Sequence, residues 1–128
     1  MDGKKKVLLI DDDHAVLAFL TAKLAKRYDV VSTVDARKSI ALARTQLPDV
    51  ILCDIDMPDM SGGDVAAALE SDSMTARIPL IYLTALVTPE EVADLEGVFG
   101  EHATVSKSAT TEELRDLVSA ALGLPDDS

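Results

Sequence analysis

The sequence is short of aromatic residues, of cysteine and of long apolar runs, and each shortage removes a class of protein. Only Phe19, Tyr28, Tyr82 and Phe99 are aromatic, and there is no Trp. A core must then be assembled from Val, Ile, Leu and Ala, the composition of buried parallel strands covered by helices. The single Cys53 excludes an internal disulfide and, with two histidines far apart in the chain, a zinc centre. Its place in an apolar run predicts a buried, unreactive thiol. Basic residues are also few. Twelve Lys and Arg stand against 23 Asp and Glu, for a net charge of -11. Nucleic-acid binding calls for clustered cations that displace counterions, so direct contact with nucleic acid is not expected. The acidic balance suits a divalent cation or simple solubility. Met1 to Lys6 is basic, but the apolar run behind it, Val7 to Ile10, is too short for a signal peptide or a membrane span. A cytoplasmic protein without a membrane partner is expected.

What the chain does contain is a regular alternation. Its 128 residues are enough for one domain, with a core over about 5–123 and a frayed tail at 124–128. Five short apolar runs read as strands: Val7 to Ile10, Val30 to Val34, Val50 to Cys53, Leu80 to Leu83, and Ala103 to Val105. The second is less apolar and belongs near an edge. Between the strands the apolar positions take helical spacing. The stripes are Val16, Leu17, Leu20 and Leu24; then Ala36, Ile40, Ala43 and Leu47, with Asp35 as N-cap; then Val65, Ala66 and Leu69. Val92 and Leu95 follow Pro89, which suits a first helical turn. In the last helix Thr110 and Glu113 form a capping box, Leu114, Leu117, Val118 and Ala121 make the stripe, and Gly123 with Pro125 ends it. Strands and helices alternating in this way predict an α/β fold, a single doubly wound domain with helices on both faces of a parallel sheet.

In such sheets ligands bind beyond the carboxyl ends of the strands. After the first strand come Asp11, Asp12 and Asp13; after the third, Asp54, Ile55, Asp56, Met57 and Pro58; at the end of the fourth, Thr84 and Ala85; beyond the fifth, Lys107. Each has a plainer role open to it. Any of the Asp residues could cap a helix, and Asp13 is assigned that task. A terminal Thr is usually structural, and a lone Lys is usually solvated. Three consecutive carboxylates nevertheless repel one another unless a cation lies between them, and Mg²⁺ is commonly held by one or two carboxylates, waters and a phosphate. Met57 to Gly63 reads as an extended loop, so no helix begins at Asp54. A carboxylate beside a metal and an ammonium stays ionised and is a competent nucleophile. Thr84 and Lys107 add a hydroxyl and a fixed positive charge, which is most of what phosphoryl transfer requires.

These residues resemble the receiver domains of two-component response regulators. The resemblance runs from Lys6 to about Leu122 and rests on Asp11-Asp12, on Asp54-Ile55-Asp56-Met57-Pro58 with Gly62, on Thr84-Ala85 and on Lys107. It implies a five-stranded parallel sheet of order 2-1-3-4-5 with five helices. It implies that Asp54 accepts a phosphoryl group from a phosphohistidine on a sensor kinase or histidine phosphotransfer protein. Asp12 and Asp54 would be direct Mg²⁺ ligands, Asp11 would act largely through water, and Asp56 would offer its backbone carbonyl. Lys107, Thr84 and the Ala85 N–H would contact the phosphoryl group. The output face, and a possible homodimer contact, would be the helix after Pro89 together with the fifth strand and the last helix.

Two positions depart from the family pattern. Ser108 follows Lys107 where Pro with a cis bond is common. A non-proline cis bond costs about 2.5–4 kcal/mol, so a trans bond and a reshaped loop are expected. Thr104 stands where an aromatic is frequent, which leaves open how a change at Thr84 is relayed. Asp56, near the path of an attacking water, predicts an altered dephosphorylation rate of undecided sign. Three rivals remain. A haloacid-dehalogenase-type phosphatase shares the Asp54-x-Asp56 pattern, but its nucleophile strand usually comes first and Pro58 stands where Thr is usual. A flavodoxin-like module would need a phosphate-binding loop where Asp11 to Asp13 lie. A degenerate receiver would serve only for interaction.

Overall fold

The computed structural model describes residues 4–85 and 102–123. The predicted helix around Val92 and Leu95, the aromatic Phe99 and the 124–128 tail lie outside the described residues.

Nine elements follow in order: β1 (Lys6–Ile10), α1 (His14–Leu24), β2 (Asp29–Thr33), α2 (Ala36–Gln46), β3 (Val50–Asp54), α3 (Gly62–Glu70), β4 (Leu80–Thr84), β5 (Ala103–Ser106) and α4 (Thr111–Leu122). The strands form one parallel sheet in the order β2-β1-β3-β4-β5. Four helices are described where five were expected.

The two-residue period of the strands divides the core in two. Val7, Leu9, Val50, Leu52, Ile81 and Leu83 point to one face and pack with Leu17, Leu20 and Leu24 of α1 and Leu114 and Val118 of α4. Leu8, Ile10, Ile51, Cys53, Leu80 and Tyr82 point to the other and pack with Ala36 and Ala43 of α2 and Val65, Ala66 and Leu69 of α3. Both faces of β1 and β3 are therefore covered, which is why their sequences are unbroken apolar runs rather than alternating ones. Each fully buried Leu or Ile contributes about 2 kcal/mol of transfer free energy. β2, one of the two edge strands, is only partly covered, in keeping with its mixed composition.

Helix ends follow local chemistry. Asp13 and Asp35 accept hydrogen bonds from the N–H of Ala15 and Arg37. Capping boxes start α3, from Ser61 and Asp64, and α4, from Thr110 and Glu113. Gly123 closes α4 at φ 72°. Two expectations need correcting. Leu47 is not on the buried stripe of α2; it is the C-cap, in the left-handed region at φ 45°, and is 51% exposed. The buried face of α2 instead includes Ser39, fully buried and donating its hydroxyl to the Ala36 carbonyl. The loop after Asp54 ends earlier than predicted, because Gly62 and Gly63 already form the first turn of α3.

Candidate functional site

The carboxyl ends of β1, β3 and β4 and the turn after β5 meet at one edge of the sheet. Asp11 directly follows β1. Its N–H donates to the Thr33 carbonyl at 3.2 Å, and its side chain is wholly buried. One of its oxygens, Oδ1, accepts the Asp13 N–H at 3.0 Å, so the residue that caps α1 also steadies the carboxylate beneath it. Asp54 is the last residue of β3 and is 4% exposed. Asp12 is exposed. Asp11, Asp12 and Asp54 each present a carboxylate oxygen within 4.8 Å of the other two.

Lys107 supplies the counter-charge. Its Nζ lies 3.0 Å from Asp11 Oδ2 and 3.2 Å from Asp54 Oδ1. Burial works against the Lys107 ammonium, yet the two carboxylates outweigh it and hold the group charged above its usual range. For Asp54 the balance goes the other way. Burial, and then the charge of Asp11, push its carboxyl up to about 6, against the opposing pull of the Asp56 N–H at 3.3 Å and of Lys107. One ammonium between two buried carboxylates leaves a surplus negative charge, the condition in which a further cation is favoured. The donor set, all carboxylate oxygen, fits a hard divalent cation.

The backbone around Asp54 is equally constrained. Ile55 N–H donates to the Leu83 carbonyl at 3.2 Å, and Gly62 N–H donates to the Ile55 carbonyl at 2.8 Å, closing the loop on itself. A Cβ on Gly62 would lie 2.6 Å from the Asp54 carbonyl oxygen, so only glycine fits where α3 starts. Met57 anchors the loop by entering the second core cluster. Cys53, just beneath, is fully buried, and burial with the neighbouring Asp54 and Asp11 pushes its thiol up to about 12, as expected of an unreactive cysteine.

The remaining predicted residues are placed as follows. Thr84 ends β4, is 6% exposed, and its carbonyl accepts the Lys107 N–H at 2.7 Å. Ala85 follows it at the surface, and Asp56 is exposed beside Asp54. The Lys107–Ser108 peptide is trans, as are all peptide bonds among the described residues. Thr104 is buried opposite Tyr82 in the β4–β5 register, and its hydroxyl has no hydrogen-bond partner among the described residues. Tyr82 is a core residue, packed edge-on against His102 with ring centroids 5.3 Å apart. Two contacts of the Lys107 turn carried no sequence signal. Ser106 Oγ accepts the Ser108 N–H at 3.1 Å, and the Lys23 ammonium donates to the Ala109 carbonyl. The second joins residues 86 apart in sequence.

Known proteins resemble this chain in sequence and in fold. Residues 7–119 match the family model of the response regulator receiver domain. The response regulator PleD of Caulobacter vibrioides is 40% identical over 82 residues, covering 63% of this chain and 18% of PleD. The DNA-binding dual master transcriptional regulator RpaA of Synechocystis is also 40% identical over 82 residues, covering 63% of this chain and 34% of that protein. The chain thus spans about a third or less of these two relatives. The chemotaxis response regulator CheY4 of Vibrio cholerae superposes with a TM-score of 0.80 at 26% identity, covering 94% of this chain and all of that one.

Proposed function

The chain belongs to the response regulator receiver domain family, a family of phosphoacceptor signalling domains, and on that premise we propose that Asp54 is its phosphoacceptor. The observation that carries this reading is the pairing of a nearly buried strand-end carboxylate with Lys107 Nζ at 3.2 Å, inside a cluster of three Asp residues. An Asp54 oxygen attacks phosphorus, the phosphorus–nitrogen bond of a phosphohistidine breaks, and the imidazole nitrogen retains the electron pair. The donor histidine belongs to a sensor kinase or a histidine phosphotransfer protein.

Each neighbour has a task in this step. Lys107 keeps Asp54 ionised and then neutralises charge on the incoming phosphoryl oxygens. Asp56 N–H fixes the rotation of the Asp54 carboxylate through Oδ1. Thr84 and the Ala85 N–H, at the adjoining strand end, are the donors for a phosphoryl oxygen. Asp11, Asp12 and Asp54, with the Asp56 carbonyl, would hold Mg²⁺. Bound there, it would supply charge neutralisation for a dianionic group entering an acidic cleft. The domain performs its own phosphorylation and dephosphorylation and is not a turnover enzyme. Its change of state is read by a protein partner on the β5 and α4 face, which would also serve a homodimer.

The test is incubation with Mg²⁺ and a small phosphoramidate or acyl phosphate, followed by intact mass measurement. One phosphoryl group per chain is expected, lost in Asp54→Asn and in the presence of a chelator. Continuous turnover of a phosphomonoester without stoichiometric labelling would instead support a phosphatase.

A further inference from the structure

Lys107 leaves the sheet on a short turn, and its ammonium must arrive between two carboxylates 3.0 and 3.2 Å away. A long flexible side chain reaches such a point reproducibly only if its backbone is fixed. The four residues Ser106 to Ala109 are tied at every step. Lys107 N–H donates to the Thr84 carbonyl at 2.7 Å, and Ala109 N–H donates to the Ser106 carbonyl at 3.0 Å. Ser108 N–H donates to Ser106 Oγ at 3.1 Å, and the Ser106 and Ser108 hydroxyls lie 3.1 Å apart. Ser108 retains the N–H that a proline there would lack, and the Ser106 hydroxyl is what uses it.

The far end of the turn is held from another helix. Lys23, on α1, donates to the Ala109 carbonyl, and both its ammonium and its backbone carbonyl have a further contact. The Phe19 ring centroid lies 4.0 Å from its Nζ, and Arg115 of α4 donates to its carbonyl at 3.4 Å. Ala109 itself is buried in the α1–α4 core. Lys23 is thus a partly buried ammonium spent on a backbone carbonyl two residues beyond Lys107.

We propose that Ser106 and Lys23 are positioning residues for phosphoryl transfer, fastening the trans turn that aims Lys107 at Asp11 and Asp54. The proposal rests on Asp54 being the phosphoacceptor. Ser106→Ala and Lys23→Met are each expected to slow labelling by a saturating small phosphoramidate about tenfold, the scale of one lost hydrogen bond plus a displaced charge. Ser106→Thr keeps the hydroxyl and should stay within about twofold of wild type. A small donor removes any contribution of Lys23 to docking a protein. The decisive measurement is the double-mutant cycle: in a Lys107→Ala background, Ser106→Ala should cause no further slowing. Wild-type rates in both single variants, or undiminished slowing in the Lys107→Ala background, would overturn this inference while leaving the phosphoacceptor reading intact. Absence of labelling in the wild type would remove both. Lys23→Met lies outside the turn, so it tests the same idea if Ser106→Ala fails to fold.

Discussion

The two ends of the sheet handle charge in opposite ways. At the amino end, several polar and charged groups beside the strands have local partners. Lys6 N–H meets Asp49 Oδ2 at 2.7 Å, and His102 is held between Glu70 Oε2 at 2.9 Å and the Leu80 carbonyl at 3.2 Å. At the carboxyl end two buried carboxylates share one ammonium, with a third, exposed carboxylate beside them. These pairs are balanced one to one, whereas the carboxyl end is in deficit of positive charge. A fold seeking only stability would pair both ends alike, so the imbalance marks the end that awaits a ligand.

The largest expected effect tests that imbalance directly. Lys107→Ala should reduce the rate of Asp54 labelling by about 10²–10³-fold, the usual loss on removing one preorganised charge from a transition state. Quench-flow or timed intact mass spectra would measure it, and a loss below tenfold would mean that Lys107 is a structural counter-ion only. Next in size is Gly62→Ala. Its Cβ would meet the Asp54 carbonyl oxygen, and overpacking of this kind costs about 1–3 kcal/mol. Urea unfolding should show a lower midpoint, and labelling should slow because the strand end is displaced.

Asp54→Asn should do the reverse for stability. The folded-state value of about 6 lies above the ordinary 3.8, so folding favours the protonated carboxyl. That contribution is complete below about pH 4 and is lost as pH rises through 6. At pH 7.5 and without divalent cation the Asn variant should be more stable by about 2 kcal/mol, and the gain should vanish near pH 4. Denaturation at the two pH values decides the matter; a gain independent of pH would show that charge is not its source. The smallest effect belongs to the other end. Glu70→Gln replaces a half-exposed carboxylate that meets His102 Nε2 at 2.9 Å and should cost less than about 0.5 kcal/mol, with labelling unchanged. A large effect there would erase the contrast between the ends.

The strands were legible because a strand buried on both faces must be continuously apolar, and the site followed from what stood after each one. Asp54, Asp11, Asp12 and Lys107 are brought together as that logic required. Leu47 was misplaced because periodicity does not register a backbone that leaves the helix at a left-handed cap. The start of α3 was misread because Gly62 and Gly63 suggest a loop, although the box made by Ser61 and Asp64 was there to find. Ser39 escaped notice because its burial depends on a hydroxyl turned back to its own helix. Lys23 could not have been found at all. Its partner is a backbone carbonyl on a distant turn, and no local pattern encodes such a meeting.

The double covering of β1 and β3 has a consequence in time. Amides in these strands, flanked by neighbours on both sides and by helices above and below, are expected to reach solvent only on global opening, whereas an edge strand such as β2 can fray alone. Asp54 ends β3, and Asp11 directly follows β1. These two carboxylates are therefore mounted at the ends of the strands expected to exchange most slowly among the described residues. On the proposed role of Asp54, a signal received there would begin at a fixed point, and its spread would depend on what moves around it.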